Sequence, residues 1–135
     1  MLQLDIVTPE SLLLSALVEQ VIVPGTEGVL GILPKHSPLI SALKPGVVTV
    51  YQAAKEPERF FVAGGVAEVV FEGGKSRCTI LAEEALSLSS ISLEQAKTRL
   101  SKAKNTLAEA EDSLQQKSAQ EEINIAKALL KALEA

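Results

Sequence analysis

All eight glycines and all six prolines of this 135-residue chain lie at or before Gly74. Both residues punctuate turns, and both weaken a helix interior, glycine through backbone entropy and proline through its missing N–H. A chain that places all of them in its first part changes architecture where they stop. That change falls between about Lys75 and Ser92.

The amino-terminal part reads as short strands. Leu2, Leu4 and Ile6 alternate with Gln3 and Asp5, a half-buried strand stopped by Thr8-Pro9. Residues 11–23 are apolar apart from Glu19-Gln20, which suits one long or two short strands. Pro24-Gly25 reads as a turn dipeptide, and Gly28 and Gly31 bracket an extended Val29-Leu30. Pro34 and Pro38 remove two backbone donors, which keeps Lys35-His36-Ser37 out of a sheet. A strand over 40–43 is expected to end at Lys44-Pro45-Gly46, and another resumes over 47–51. Gly64-Gly65 is expected to separate strands over 59–63 and 66–71. Glu72-Gly73-Gly74-Lys75 signals a two-residue hairpin, because glycine supplies the positive φ of primed turns. Residues 76–82 form the returning strand. This spacing predicts an antiparallel β-sandwich or flattened barrel over residues 1–87.

Residues 88–135 are expected to form an antiparallel two-helix hairpin, so the fold class is α+β. Leu93, Ala96, Leu100, Ala103, Leu107, Ala110 and Leu114 recur at intervals of three and four. Ala119, Ile123, Ala126, Leu130 and Leu133 supply a second seam, and the small alanines allow close approach. Ser92 with Gln95 and Ser118 with Glu121 each fit a capping box, which puts the turn at 112–118. That turn contains good helix formers and no glycine or proline, so the same residues could continue as one rod of roughly 60 Å for about forty residues. Lys97, Arg99, Lys102 and Lys104 crowd the first half of the first helix, opposite to the order that the helix dipole favours. They are either an ordinary solvated face or a basic band for an acidic partner.

Composition excludes several functions. A net charge of −4 and a pI near 5.1 argue against nucleic acid. No apolar run approaches the ~18 residues of a spanning helix, and the amino terminus shows no signal or transit peptide. Aromatics supply only 3%, so the core must be aliphatic. His36 and Cys78 are each single, which rules out a Cys/His metal site. No phosphate loop or nucleophile elbow is present. No catalytic site, cofactor or metal is expected.

The segment Val23-Pro-Gly-Thr-Glu-Gly-Val-Leu-Gly-Ile-Leu-Pro-Lys-His-Ser-Pro-Leu39 resembles the signature of the epsilon subunits of F-type ATP synthases, the bacterial and chloroplast type. Similarity continues through Lys44-Pro45-Gly46-Val47 and Gly64-Gly65, and extends to chain length and domain order. The resemblance implies a non-catalytic central-stalk subunit whose sandwich links the gamma subunit to the ring of c subunits. It makes Glu27, Gly28, Val29, Gly31 and His36 candidate contact residues, although many relatives carry an acid where this chain has Val29. It also implies a regulatory hairpin that can extend along gamma, meet acidic segments of the alpha and beta subunits, and inhibit ATP hydrolysis. Lys97, Arg99, Lys102 and Lys104 would then be its basic band. The implied location is peripheral, on the cytoplasmic or stromal face of a plasma or thylakoid membrane.

Some relatives bind ATP through an Ile/Leu-Asp-x-x-Arg-Ala motif opening the first helix. Here it reads Leu93-Glu94-Gln95-Ala96-Lys97-Thr98, with Glu94 and Lys97 as the ATP candidates. Lysine lacks the planar bidentate fork of arginine. These departures resemble the cyanobacterial and chloroplast branch, and an ATP-binding sensor is the alternative function.

Overall fold

The computed structural model describes residues 1–134. It contains two compact units, Met1–Ser87 and a second that begins at Leu88. The first unit holds eight strands: β1 (Leu2–Val7), β2 (Leu12–Val18), β3 (Gln20–Gly25), β4 (Gly28–Ile32), β5 (Leu39–Tyr51), β6 (Glu58–Glu72), β7 (Lys75–Ala82) and β8 (Ala85–Ser87). Hydrogen bonding orders them β2-β1-β7-β6-β5-β3-β4, with β8 paired to β6. Every pairing is antiparallel except β1 with β7.

Two long strands make this one ribbon into a sandwich. The expected breaks at Lys44-Pro45-Gly46 and Gly64-Gly65 are not strand ends. β5 and β6 run straight through them, pairing Leu43 with Gly65 and Pro45 with Ala63. The early part of β5 and late part of β6 belong to a layer with β7, β1 and β2. The late part of β5 and early part of β6 belong to a layer with β3, β4 and β8. The punctuation therefore marks a shared corner, where bent strands pass from one layer to the other. Gly64 and Gly65 bend with φ of 104° and 142°. A Cβ at Gly65 would run into the Leu81 carbonyl oxygen and lie 2.9 Å from the Ala82 Cα.

Period-two alternation fills the space between the layers. Leu2, Leu4 and Ile6 of β1 are fully buried, as are Val21 and Val23 of β3, Val48 and Val50 of β5, and Ile80 of β7. Each such aliphatic side chain contributes about 1.5–3 kcal/mol relative to exposure. Pro24-Gly25 is not a turn but the end of β3, and the turn is Thr26-Glu27. Pro24 is tolerated there because the β3–β5 register shifts between Ile22 and Gly25, so no ladder bond needs its missing N–H. Gly73 and Gly74 form the expected hairpin turn, with φ of 58° and 77° and Glu72 paired to Lys75.

The second unit opens with a 3₁₀ turn, Leu88–Ser90, followed by α1 (Leu93–Ala108) and α2 (Ser113–Glu134). Ser92 caps α1 in the expected box: its hydroxyl accepts from Gln95 N at 3.1 Å, and Gln95 Oε1 accepts from Ser92 N at 2.8 Å. The second box does not form. Asp112 caps α2 instead, accepting from Gln115 N at 2.7 Å, so Ser118 lies inside the helix and the turn is residues 109–112. Ala96 and Ala103 of α1 and Ala119, Ile123 and Ala126 of α2 are buried along the seams. Leu93 and Leu114 are exposed, while Leu129 and Ala132 are buried beside the half-buried Leu130 and Leu133. The apolar stripe of α2 is thus wider at its end than a strict seam.

Candidate functional site

The signature segment is carried by β4 and the crossing that follows it. Gly25 and Gly28 pair across the two-residue turn, and Thr26 N donates to the Ala42 carbonyl at 2.9 Å. This ties the turn to β5. Glu27, Gly28, Val29 and Gly31 are all exposed, Val29 by 76%. An apolar side chain so exposed on a short edge strand is a contact candidate.

His36 lies elsewhere. β4 carries the chain away from the turn, and residues 33–38 then cross between the layers to enter β5. Four steps of about 3.3 Å each separate Gly28 from Ile32, so Glu27 and His36 lie beyond opposite ends of a strand about 13 Å long. The candidate contacts therefore form a cluster at the turn and one separate corner residue. In that corner His36 N donates to the Leu33 carbonyl at 3.1 Å, and its ring Nδ1 lies 2.7 Å from the Ser37 carbonyl oxygen. Lys35 takes the left-handed conformation at φ 67°.

The outer face of the β2-β1-β7-β6-β5 layer carries a feature that the sequence reading missed. Registers place Leu12 beside Val7, Val7 beside Leu81, Leu81 beside Val66, and Val66 beside Ala42. These apolar residues make one row across five strands. Leu12 is 60% exposed, Leu81 53% and Val66 38%. Outward positions of a sheet layer facing water are normally polar, so a continuous apolar row is a candidate docking surface. Each residue alone looks ordinary, and only the cross-strand register aligns them. The row ends at Ala42, whose carbonyl holds the Thr26-Glu27 turn.

In the hairpin, Arg99 faces Glu122 of α2. Its Nε donates to Oε1 at 2.6 Å, and its Nη2 to Oε2 at 3.3 Å. The four basic residues do not line one band. At 3.6 residues per turn, Lys97 and Lys104 share one flank of α1, and Arg99 and Lys102 the other. Arg99 and Lys102 line an open groove of about 480 Å³ with Glu94, Gln95, Thr98 and Glu122, and Lys97 is not among its walls.

Cys78 is buried in β7, and burial pushes its thiol up to about 12, with the Asp5 carboxylate adding to the shift. A thiol held neutral is a packing group, not a nucleophile. No cluster of three or more potential metal ligands occurs among the described residues, and no described helix is long and apolar enough to cross a membrane.

This architecture defines the class of the ATP synthase delta/epsilon sandwich subunits: residues 1–88 match the family model described as the ATP synthase delta/epsilon chain beta-sandwich domain. The ATP synthase epsilon chain of Rhodospirillum rubrum is 45% identical over 130 residues, covering 96% of this chain and 94% of its own length. That of Granulibacter bethesdensis is 44% identical over 97 residues, 72% of this chain and 69% of its own. Among solved structures, a chain of the Euglena gracilis mitochondrial ATP synthase has a TM-score of 0.79 at 21% identity, covering 98% of this chain and 81% of that one. A chain of the Tetrahymena thermophila mitochondrial ATP synthase central stalk and c-ring has a TM-score of 0.72 at 14% identity, covering 98% and 96%. The chain belongs to the family of ATP synthase epsilon subunits.

Proposed function

We propose that this chain is a non-catalytic rotor subunit of a proton-translocating ATP synthase, in which the sandwich couples gamma to the c ring and the hairpin inhibits ATP hydrolysis by extending. The observation that carries the coupling is the exposed row Leu12–Val7–Leu81–Val66–Ala42, continuous with the Thr26-Glu27 turn. An apolar row of this extent fits a long partner such as gamma, and the neighbouring turn with Glu27, Gly28 and Val29 fits a second contact at the c ring. The Tetrahymena neighbour comes from a central stalk and c-ring assembly, which supports the same placement. The reading makes the subunit peripheral, held at the membrane through the ring.

Regulation rests on the hairpin. Only four residues, 109–112, separate two helices of 16 and 22 residues, so little chain must change shape for the hairpin to become a rod. Lys97, Lys102 and Lys104 are exposed and available to acidic segments of the alpha and beta subunits. The alternative, an ATP sensor, is favoured by the groove beside Glu94. It is weakened by Lys97 facing away from that groove and by Arg99 being engaged with Glu122.

Two variants of the assembled complex test the proposal. L81E should reduce copurification with gamma while leaving the hairpin helical, and unchanged copurification of a folded L81E chain overturns the docking face. Deleting everything after Ser89 should keep assembly and raise ATP hydrolysis. Hydrolysis no faster than in the intact complex would reduce the hairpin to a brace. Calorimetry with MgATP on the isolated chain decides the alternative.

A further inference from the structure

Ser76, 2% exposed, is the one buried polar side chain among the described residues. Its inward direction is set by the turn before it. Gly73 and Gly74 fix the register that pairs Glu72 with Lys75 and Phe71 with Ser76. A slip of one residue would turn Lys75 or Arg77 inward instead. The buried hydroxyl donates to the carbonyl of His36, forty residues earlier, at 3.0 Å.

The segment that receives this bond has little else to hold it. Residues 33–38 belong to no strand, and Pro34 and Pro38 bring no N–H. Their other hydrogen bonds are local: His36 N to the Leu33 carbonyl, and the His36 ring to the Ser37 carbonyl. Lys35 sits at φ 67°, which a non-glycine residue keeps only when its surroundings enforce it. Ser76 thus pins the backbone at residue 36, and the Ser37 carbonyl aims the ring from that pin. We propose that Ser76 is a positioning residue that pre-orders the His36 corner for its partner in the assembled complex. This rests on the reading of His36 as a contact residue. Pre-ordering matters because a corner that must be fixed on binding loses affinity to the entropy of fixing it.

The test uses S76A, S76T and H36A, with amide exchange on the isolated chain and dissociation from the complex. S76T keeps the hydroxyl and suits a strand. S76A should speed exchange of the His36 amide about fivefold, the factor that one net hydrogen bond is worth. Amides of β1, in the layer beside β7, should be unaffected. Dissociation should accelerate by a similar factor, S76T should restore both, and S76A should add nothing in an H36A background. If S76A does not fold, S76C takes its place, keeping the volume with a weak donor. Unchanged exchange at His36 in the hydroxyl-free variant overturns the tether. An equal acceleration of dissociation with and without His36 overturns the positioning role. If H36A alone leaves dissociation unchanged, the contact reading fails and Ser76 has no part in assembly through it, while the exchange result still decides the tether.

Discussion

Neutralising Glu122 should loosen the folded hairpin while leaving every basic residue in place. Arg99 and Glu122 share two hydrogen bonds, at 2.6 and 3.3 Å, with side chains 23% and 41% exposed. The two-point geometry favours the upper part of the range for such pairs, but solvent screens it, which leaves about 0.5–1 kcal/mol. That corresponds to a factor of about 2–5 in any equilibrium that separates the helices. R99A is an ambiguous probe, because under the proposed function it removes both the pair and a possible inhibitory contact. E122Q removes only the charge of the pair, since its amide oxygen can still accept one bond. A double-mutant cycle of R99A and E122A, followed by urea unfolding and helical circular dichroism, should give a coupling of about 0.5–1 kcal/mol at low salt. The coupling should shrink in 1 M salt, where the Debye length is about 3 Å. In the assembled complex, E122A should raise the extended fraction by the same factor while that fraction is small, and so lower ATP hydrolysis, with E122Q giving part of that effect. A coupling below ~0.2 kcal/mol, or one indifferent to salt, refutes the pair as a brace on the hairpin.

Two further outcomes follow from the sandwich. G65A should destabilise the chain by about 3 kcal/mol or more, because it adds a collision with the Leu81 carbonyl to an unfavourable φ. G74A, where a Cβ meets nothing within 4 Å, should cost only the left-handed penalty of ~1–2 kcal/mol; equal urea midpoints for the two variants would count against the corner. Cys78 sets an alkaline limit: its folded pKa of about 12 lies above the ordinary 9.0, so the unfolded chain loses the proton first. The stabilisation is complete below pH 9 and is lost as pH rises towards 12. C78A should show a shallower loss of stability than the parent over that window, and parallel pH profiles would refute the assignment.

Local patterns legible in the sequence were those whose physics is local. Alternation in residues 2–6 gave β1, the Gly73-Gly74 dipeptide gave its hairpin, and Ser92 with Gln95 gave the cap of α1. The corner was not legible, because a strand that bends through glycine and proline has the same local signal as one that stops there. Only the pairing of Leu43 with Gly65 and Pro45 with Ala63 distinguishes the two, and that pairing is long-range. The same holds for the apolar row. Its members are 7, 12, 42, 66 and 81, which no window joins. The signature segment was legible as a motif but not as a shape, since β4 sends its two ends to different places.

The inter-helix turn shows competition between two local signals of nearly equal quality. Ser118 with Glu121 and Asp112 with Gln115 are both plausible starts for α2, six residues apart. The earlier start prevails because residues 114–117 are Leu-Gln-Gln-Lys, good helix formers, and each adds a backbone hydrogen bond once the cap is placed. The consequence reaches the proposed switch. With the start at Ser113, the 16 residues of α1, four of the turn and 22 of α2 could form one helix of about 42 residues, roughly 63 Å long. Glu109, the first residue of the turn, already holds near-helical angles at φ −94° and ψ −2°. Straightening therefore gives up the Asp112 cap, the Arg99–Glu122 pair and the buried alanine seam, and gains the helical bonds of a few residues. The cap and pair are each worth only about 1 kcal/mol, so the seam dominates the balance. A partner must cover Ala96, Ala103, Ala119, Ile123 and Ala126 about as well as the hairpin does before basic contacts can tip the equilibrium. Inhibition through the hairpin is thus a question of apolar fit to the partner first and of charge second.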